Sequence, residues 1–581
     1  MNRLFESIDR FAAARGPVVT AAALLALMLV YAFSAAGNLS ETDDAWAFAW
    51  RVEHIAIDQA TDPRLIGYHV LARTLWLAAQ SLGLPLSGLT VLRGISLVGA
   101  VACLWFVWRL LAHRLQQPRE VALAGTALLG ASYGFWRYAA EGDVYVSAMA
   151  LTAGVLCLLL APRRERGGVP AMLVAGAVAG VAVLYYQPNT IPLFLAFPLL
   201  VAWRHGLAAA VAYVGAGVAA VLAGYGLAFA AFWPEPFSPG AFAAFLAQRT
   251  QEFMVDPLGL RTVVMSVLRS AVTLTHVAMS ANWAFAMPLA EPLVQRIYPG
   301  HLLGEELSIA RHAGGLAYVP LLILPVVLWS LWRLLKTARA GWRAEGPPWR
   351  DVARRGAWGL WALPLWALLN ALVNGRLNAA GNEAWIVFLL PVVLLLAPTV
   401  LAPAWRHGGR AALWVLVAGL ALHNAVGMAM VRSPDGDLIR QRSAWLVEQA
   451  TERDLVIVAY DLPRADYLRL YSRATVVMLI PQDVPLLAGS LKPSLLPPPP
   501  LRSRGRDFIR TDAAAAMRRT LAGGGRVLFF GELLKEYPPL ALSNPQYPWQ
   551  MKALRDAAVP LHQTAFDTVY QFKPPPADTP R

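Results

Sequence analysis

The chain has 581 residues, of which 57% are hydrophobic and 15% are charged, and its mean hydropathy is +0.48. Soluble domains are about 45–50% apolar and about 25% charged, so these values exclude a soluble protein and indicate a membrane protein. The net charge of +14 would suggest nucleic acid as the partner of a soluble protein, but membrane proteins concentrate Lys and Arg in cytoplasmic loops. The two cysteines, Cys103 and Cys157, lie in apolar runs, which excludes a disulfide framework.

About eleven apolar segments approach the length of a transmembrane helix, which needs about 20 mainly apolar residues. In chain order they are residues 17–36, 89–111, 121–136, 144–161, 170–186, 190–203, 207–232, 316–335, 357–373, 385–402 and 411–431. Basic residues precede the first segment and follow the second, fourth, sixth, eighth and tenth. This pattern predicts a multi-pass protein with a cytoplasmic amino terminus and with its carboxy-terminal residues outside.

Two outer loops contain apolar segments that are too polar to be counted as spans. The first outer loop, residues 37–88, includes segment 64–82, and the second, residues 233–315, includes segment 262–290. Counting either segment alone as a span would move basic loops to the opposite side of the membrane. Both segments are therefore predicted to be helices in the outer interface, with their apolar faces towards the lipid.

Residues 432–581 have a different composition and predict a small α/β domain. Short buried strands alternate here with helices, which is typical of that class. The predicted strands are 455–460, 474–480 and 526–530, and the predicted helices are near 440–452 and 513–521. A Pro-rich linker, residues 493–500, is predicted to be stiff and extended. Gly523-Gly524-Gly525 precedes a strand, so it predicts a turn and not a phosphate-binding loop.

Two groups of acidic residues lie at the outer ends of predicted spans. The first is Glu41-Thr42-Asp43-Asp44, directly after the first span, and the second is the turn between the third and fourth spans, with Arg137, Glu141 and Asp143. Ionisable residues at the edge of a membrane are costly and indicate function. Paired acids can act as a general base or as metal ligands. The alternatives are that Asp43 and Asp44 only cap a helix over residues 45–54, and that the turn is a solvated loop with an internal ion pair.

The first 200 residues resemble the membrane-embedded glycosyltransferases of the GT-C superfamily, and they are most similar to bacterial relatives of protein O-mannosyltransferases. The resemblance of this part rests on the acidic motif after the first span, Gly67-Tyr68-His69, Arg93, Trp108-Arg109-Leu110-Leu111, and the turn from Phe135-Trp136-Arg137 to Glu141-Gly142-Asp143-Val144-Tyr145. The later stretch Gly381-Asn382-Glu383-Ala384-Trp385 is also of the family's type. Two departures leave the sugar and the acceptor open. Gly67-Tyr68-His69 stands where many relatives have His-Pro and an aromatic residue, and Asp143 replaces the second Glu of a common Glu-x-Glu-x-Tyr turn.

The resemblance implies an α-helical polytopic membrane protein of about 11 transmembrane helices. A GT-C-like transmembrane domain would span residues 1–431, and residues 432–581 would be a small extracytoplasmic α/β domain in the periplasm. The implied location is the bacterial inner (plasma) membrane. The implied reaction is an inverting transfer of a mannose-like hexose or a pentose from a polyprenyl-phosphate donor to a hydroxyl. The acceptor would be a protein, a lipid or a polysaccharide, and no nucleic acid partner is expected.

The resemblance also suggests roles for the acidic and basic residues. Asp43 is the first candidate for the general base and Asp44 the second. Arg137 would bind the leaving phosphate, because a planar guanidinium can bind two oxygens. Glu141 and Asp143 would orient Arg137, contact the sugar, or complete a site for a divalent cation (Mg²⁺ or Mn²⁺) with Asp43. Further candidates for donor binding are Arg51, His54 and His69, with Arg73 and Arg376 as weaker ones.

Two other classes of protein are compatible with the same composition. A polytopic transporter or lipid flippase without transfer activity would place ionisable residues in the middle of broken helices. The predicted spans instead contain few ionisable residues, and the acids gather at their outer ends, which favours an enzyme at the interface. A non-catalytic protein with a binding tail predicts that Asp43 and Glu141 lie far apart.

Overall fold

The structure is a computed structural model. It describes residues 16–39, 44–54, 64–161, 168–232, 236–247, 259–285, 287, 292, 300–346, 361–377, 379, 381–458, 462–478, 513–534, 555–564 and 567–573. Asp43 and the predicted linker 493–500 lie outside these residues. The chain forms two compact units. The first consists of Met1–Thr42, Pro63–Gly226 and Ala247–Gly436, and the second of Asp43–Asp62, Leu227–Leu246 and Asp437–Arg581.

The first unit is helical. Its described helices are Gly16–Phe33, Ile66–Ser81, Gly88–Arg109, Arg119–Gly130, Tyr133–Ala139, Tyr145–Leu159, Gly168–Tyr185, Phe197–His205, Leu207–Phe232 (which continues into the second unit), Leu260–Ala278, Asn282–Phe285, Gly300–Ala313, Val319–Glu345, Ala362–Leu377, Asn382–Leu396, Ala402–Arg406 and Arg410–Met430. Short π-helical segments adjoin three of them, at Leu110–Arg114, Ile191–Ala196 and Ala397–Leu401.

Six helices in the described part of the chain are long and apolar enough to cross a membrane. They are Gly88–Arg114, Gly168–Tyr185, Leu207–Ala231, Leu307–Glu345, Asn382–Arg406 and Arg410–Met430. Ala22–Phe33 and Tyr145–Leu159 are shorter apolar helices. Each of the eleven predicted segments coincides with helical residues, but the predicted number of spans is not confirmed. Segments 190–203 and 357–373, for example, correspond to α-helices of only 9 and 16 residues.

Both segments that were predicted to lie in the interface form helices, and neither is among the six. Segment 64–82 corresponds to Ile66–Ser81, and segment 262–290 begins with Leu260–Ala278. Leu260–Ala278 exposes Val263 and Val267 near its start and buries His276 near its end. Apolar side chains are therefore exposed over its first half; its position at the membrane interface stays a prediction.

Helix Gly88–Arg109 packs against Tyr145–Leu159, the helix that follows the turn with Glu141 and Asp143. Gly99 lies at their crossing, and a Cβ atom built on it would meet Cα and Cβ of Ser147 at 2.6 Å. Only glycine allows this approach, because any side chain would have to displace the neighbouring backbone. The two helices are thus held close together immediately below the turn that carries Glu141 and Asp143.

The second unit contains a five-stranded mixed sheet in the order β2-β1-β3-β5-β4. Its strands are β1 Leu455–Val458, β2 Thr475–Met478, β3 Val527–Phe530, β4 Ala558–Gln563 and β5 Thr568–Phe572. Strands β2, β1 and β3 are parallel, and β5 is antiparallel to both β3 and β4. The first three strands confirm the prediction. The hairpin β4–β5 was missed because β4 is mostly exposed and contains Pro560, which is tolerated on an edge strand.

Helices cover both faces of this sheet. Leu455 and Ile457 of β1 pack with Met517, and Val456 and Val458 pack on the opposite face with Leu446 and Leu468. The helices are Leu438–Gln449, Leu462–Tyr471 and Ala513–Ala522. The predicted helices near 440–452 and 513–521 are confirmed, whereas Leu462–Tyr471 was not predicted. Gly524 has a φ of +73°, which agrees with the predicted turn.

The second unit also includes a helix from the first outer loop. Asp44–His54 buries six of its eleven residues, including Trp46, Phe48 and Val52. This helix packs on Leu462–Tyr471. The predicted domain boundary between residues 431 and 432 placed this helix in the transmembrane domain instead.

Candidate functional site

The turn between Tyr133–Ala139 and Tyr145–Leu159 is buried throughout, from residue 140 to residue 144. It carries Glu141 and Asp143, and both side chains are fully buried. Arg137 lies one helical turn before Glu141 and is 1% exposed. A carboxylate in such surroundings needs a partner, because an unpaired buried charge costs several kcal/mol. The alternative of a solvated loop is therefore wrong, although its internal ion pair is present.

Glu141 lies between two arginines. Its Oε1 is 3.4 Å from Nη1 of Arg137, and its Oε2 is 3.5 Å from Nη2 of Arg93. Arg93 comes from the outer part of helix Gly88–Arg109, and its side chain remains 29% exposed. The turn thus joins one fully buried guanidinium and one partly accessible guanidinium around a single carboxylate.

Both arginines also hold the backbone that follows the first helix. Arg93 donates from Nη2 to the carbonyl oxygen of Ala36 at 2.9 Å, and Arg137 donates from Nη2 to that of Asn38 at 2.5 Å. On the other side of this segment, the backbone amides of Gly37 and Asn38 donate to the carbonyl oxygen of Val431 at 3.1 and 3.0 Å. Residues 36–39 are therefore fixed directly before the acidic motif in the sequence.

The backbone of the acidic turn is fixed by two hydroxyl groups. Tyr68 donates from Oη to the carbonyl oxygen of Gly142, and Ser96 donates from Oγ to that of Asp143, both at 2.8 Å. Tyr68 lies on the predicted interfacial helix, next to His69. These bonds leave the turn little freedom to move, so its side chains are held in place before any ligand binds.

Burial raises the pKa of Glu141 to about 7, although the positive charges of Arg137 and Arg93 act to lower it. Desolvation disfavours the charged carboxylate more than the two guanidinium groups, which are more than 3 Å away, stabilise it. Glu141 is therefore expected to change its protonation state near neutral pH.

This titration predicts a difference between the wild type and a Glu141→Gln variant. Because the folded protein has the higher pKa, Glu141 contributes stability that is full below the ordinary value of 4.5 and is lost as the pH rises through about 7. We expect the Tm of the wild type to fall, relative to that of the variant, between about pH 5 and pH 8. Thermal unfolding over a pH series measures this; identical pH profiles would show that Glu141 does not titrate in this range.

Asp44 and Arg51 lie in the second unit, on helix Asp44–His54. The helix predicted over residues 45–54 is confirmed and begins at Asp44. Burial raises the pKa of Asp466; of the charges that act on it, Arg469 and Arg51 lower this pKa and Asp44 raises it. His54 is exposed and stacks on the ring of Trp50, with 5.5 Å between centroids.

The remaining predicted residues have separate environments. His69 is buried, and its ring centroid lies 6.0 Å from that of Tyr68. Arg73 places its guanidinium 4.7 Å from the centroid of Trp76. The structure thus brings Arg137, Glu141 and Asp143 together on one turn, and groups Asp44 with Arg51 in the second unit.

Arg93, Tyr68 and Ser96 also contact the turn, and no role was predicted for them from the sequence. The position of Arg93 could have identified it as a candidate, because an arginine inside an apolar span is energetically costly unless it is paired or functional. Tyr68 and Ser96 act through backbone carbonyl groups, and no residue pattern reveals such contacts.

The residues that the structure describes do not form a divalent-cation site. Within them, no group of three or more His, Cys, Asp or Glu side chains is placed to hold a metal ion. Both oxygens of Glu141 face guanidinium groups, and these cations would repel a metal ion. The predicted metal ligand Asp43 is outside the described residues, so its part in that prediction is not tested.

Comparisons with known proteins give no family model that matches the chain and no curated protein that matches it. Similar solved structures include ArnT from Cupriavidus metallidurans bound to undecaprenyl phosphate, with 13% identity over 96% of this chain and 98% of that chain and a TM-score of 0.45. The Archaeoglobus fulgidus oligosaccharyltransferase in complex with Zn and sulfate has 12% identity over 95% of this chain and 73% of that one, with a TM-score of 0.45.

A second structure of the archaeal oligosaccharyltransferase, AglB in complex with an inhibitory peptide and a dolichol-phosphate, has 13% identity over 97% of this chain and 75% of that chain. Its TM-score is 0.43.

Proposed function

We propose that the protein is a membrane glycosyltransferase that moves a sugar from a polyprenyl-phosphate donor to an acceptor hydroxyl. The observation that carries this proposal is the buried Glu141 between Arg93 and Arg137, in a turn that joins apolar helices. A lipid-linked phosphate needs cationic groups at the edge of the membrane, and Arg93 and Arg137, the two partners of Glu141, are such groups. The same arginines hold residues 36–39, which lead directly into the acidic motif that would activate the acceptor.

In the proposed reaction the acceptor oxygen attacks the anomeric carbon of the sugar. A bond forms between these two atoms while the bond from the carbon to the phosphate oxygen breaks, so the configuration inverts. The proton of the acceptor hydroxyl passes to a carboxylate, and the electron pair leaves with the lipid phosphate. Asp43 is the proposed base, with Asp44 as the second choice; a well-placed base gives about 10²–10⁴-fold in rate.

The leaving phosphate requires a guanidinium group that it can reach. The sequence assigns this role to Arg137, but Arg137 is 1% exposed and its Nη1 and Nη2 atoms face Glu141 and Asn38. Arg93 keeps 29% of its side chain exposed. We therefore propose that Arg93 makes the direct contact with the phosphate. Arg137 would add positive charge without touching the phosphate, while it binds Glu141 and the carbonyl oxygen of Asn38.

The other candidates keep more limited proposed roles. Asp143 would contact sugar hydroxyls or orient the arginines, and His69, Arg51 and His54 would take part in donor binding. The acceptor is a protein, a lipid or a polysaccharide hydroxyl on the periplasmic side of a bacterial inner membrane, with the amino terminus in the cytoplasm. The sugar is a mannose-like hexose or a pentose.

The transporter or flippase alternative is less well supported. Such proteins place ionisable groups midway along spanning helices. Among the described residues of the first unit, the buried carboxylates are Glu141 and Asp143, and both lie in a turn between helices. This placement suits a reaction at the surface of the membrane better than passage through it.

The proposal is tested by incubating the purified protein in lipid nanodiscs with polyprenyl-phosphate hexoses and pentoses. Mass spectrometry should show a sugar donor being consumed and the lipid phosphate being released, and NMR of the product should show the opposite anomeric configuration. Retained configuration would refute the inverting mechanism. Movement of intact donor between the two leaflets of vesicles, without any release of lipid phosphate, would instead establish the flippase.

A further inference from the structure

Helix Asp44–His54 begins one residue after the proposed base, Asp43. Its first residue, Asp44, is the second candidate for the base. The helix has eleven residues and carries few hydrogen-bonded turns, so it is too short to be stable by itself. Its conformation must depend on what it packs against, and within the second unit that partner is helix Leu462–Tyr471.

Aromatic contacts fix the first half of this helix. Trp46 is buried, and its ring meets the ring of Tyr467 edge to face with 5.0 Å between the centroids. One turn later, the guanidinium of Arg469 lies 5.9 Å from the centroid of Trp50. Edge-to-face aromatic pairs contribute beyond the area that they bury, and their geometry restricts both the rotation and the axial position of the helix.

A buried ion pair lies behind these rings. Arg469 donates from Nη1 to Oδ1 of Asp466 at 2.7 Å, and these residues are 8% and 4% exposed. Asp44 and Arg51 of the first-loop helix also interact electrostatically with Asp466. Two residues from each helix thus belong to one group of interacting charges, and this group includes Asp44.

We infer that Asp466 and Arg469 are positioning residues for helix Asp44–His54 and for Asp44, the described residue of the acidic motif, and that they affect the rate of transfer through this helix. The inference rests on the proposed function. The buried ion pair of Asp466 and Arg469 sets the register of helix Asp44–His54.

Another ion pair of the same domain provides a matched control. Arg526 donates from Nη2 to Oδ2 of Asp454 at 2.7 Å, and Asp454 is also buried. Asp454 accepts further bonds from Thr451 and from the backbone amide of Arg526, so this pair joins the sheet to the preceding turn. Asp454→Asn therefore perturbs the folding of the domain without altering the contact between the two helices.

The experiment compares Asp466→Asn, Asp454→Asn and the neutral double variant Asp466→Asn/Arg469→Gln in the full-length protein. Hydrogen exchange of the backbone amides of residues 45–52 should become faster in both Asp466 variants and remain unchanged in Asp454→Asn. The kcat of sugar transfer should fall about 10- to 100-fold in the Asp466 variants, since a small displacement of a reacting group has effects of this size. The KM for the donor should change by less than about twofold, and Arg469→Lys should keep most of the kcat.

Unchanged exchange at residues 45–52 in both Asp466 variants would overturn the inference. An equal loss of kcat in Asp454→Asn, at the same folded fraction, would also overturn it. The exchange measurement does not require sugar transfer. If the wild type transfers no sugar while Asp466→Asn still accelerates exchange, the proposed function fails but the structural contact remains.

Discussion

An Asp43→Asn variant is expected to lose sugar transfer, with kcat lower by about 10²–10⁴-fold and membrane insertion unchanged. The amide has nearly the same shape as the carboxylate but cannot accept the proton of the acceptor hydroxyl. The rate of lipid phosphate release, measured by mass spectrometry at saturating donor, gives kcat. Donor binding should persist, because the proposed base interacts with the acceptor and not with the phosphate.

Asp44→Asn is the matched comparison for this experiment, since both residues belong to one motif. Asp44 interacts with Asp466 in the second unit, so its neutral variant is expected to have the smaller effect on kcat. A larger loss in Asp44→Asn would reverse the assignment of the base between the two residues. Unchanged transfer in the double variant Asp43→Asn/Asp44→Asn would show that neither aspartate is the general base.

Replacement of Arg137 by methionine is expected to reduce both stability and transfer. The change leaves Glu141 buried with Arg93 as its remaining partner at 3.5 Å, and it removes the donor to the carbonyl oxygen of Asn38. Removal of one member of a buried ion pair costs about 3–5 kcal/mol, and the lower end applies here because Arg93 remains. Thermal unfolding and initial rates of transfer on the same preparations measure the two effects.

Arg93→Gln separates the structural contribution of the arginines from their chemical contribution. The side chain of Arg93 is partly exposed, so its loss should lower the Tm less than the loss of Arg137 does. If Arg93 binds the leaving phosphate, its loss should still reduce kcat by at least as much. Normal transfer in the Arg93 variant, together with loss of transfer in a stably folded Arg137 variant, would contradict this assignment. The leaving phosphate would then be bound by Arg137 and not by Arg93.

The prediction of the fold was most successful where side-chain composition alone decides the outcome. Long apolar runs became helices, because a helix satisfies its own backbone hydrogen bonds in an apolar environment. The buried strands β1, β2 and β3 were found for a similar reason, since each is a short run of apolar residues. Strand β4 was missed because most of its residues are exposed and its apolar pattern is weak.

The candidate site was predicted only in part. The acidic turn was visible because charged residues are rare next to apolar spans, and Arg137 and Glu141 are one helical turn apart. Arg93 was not assigned to it, because its partner carbonyl of Ala36 is 57 residues away in sequence. Tyr68 and Ser96 contact backbone oxygens that every residue possesses, so the sequence carries no sign of them.

The sequence by itself determined that the chain is a basic, apolar membrane protein, with helical segments at predictable positions and acidic groups at their ends. These properties follow from composition and from local periodicity. Only the tertiary structure decided that Glu141 lies between Arg93 and Arg137, and that helix Asp44–His54 packs on Leu462–Tyr471 of the carboxy-terminal domain. Both arrangements join residues that are distant in the chain. Such contacts depend on the shape and burial of side chains in the folded protein, and local sequence patterns do not show them.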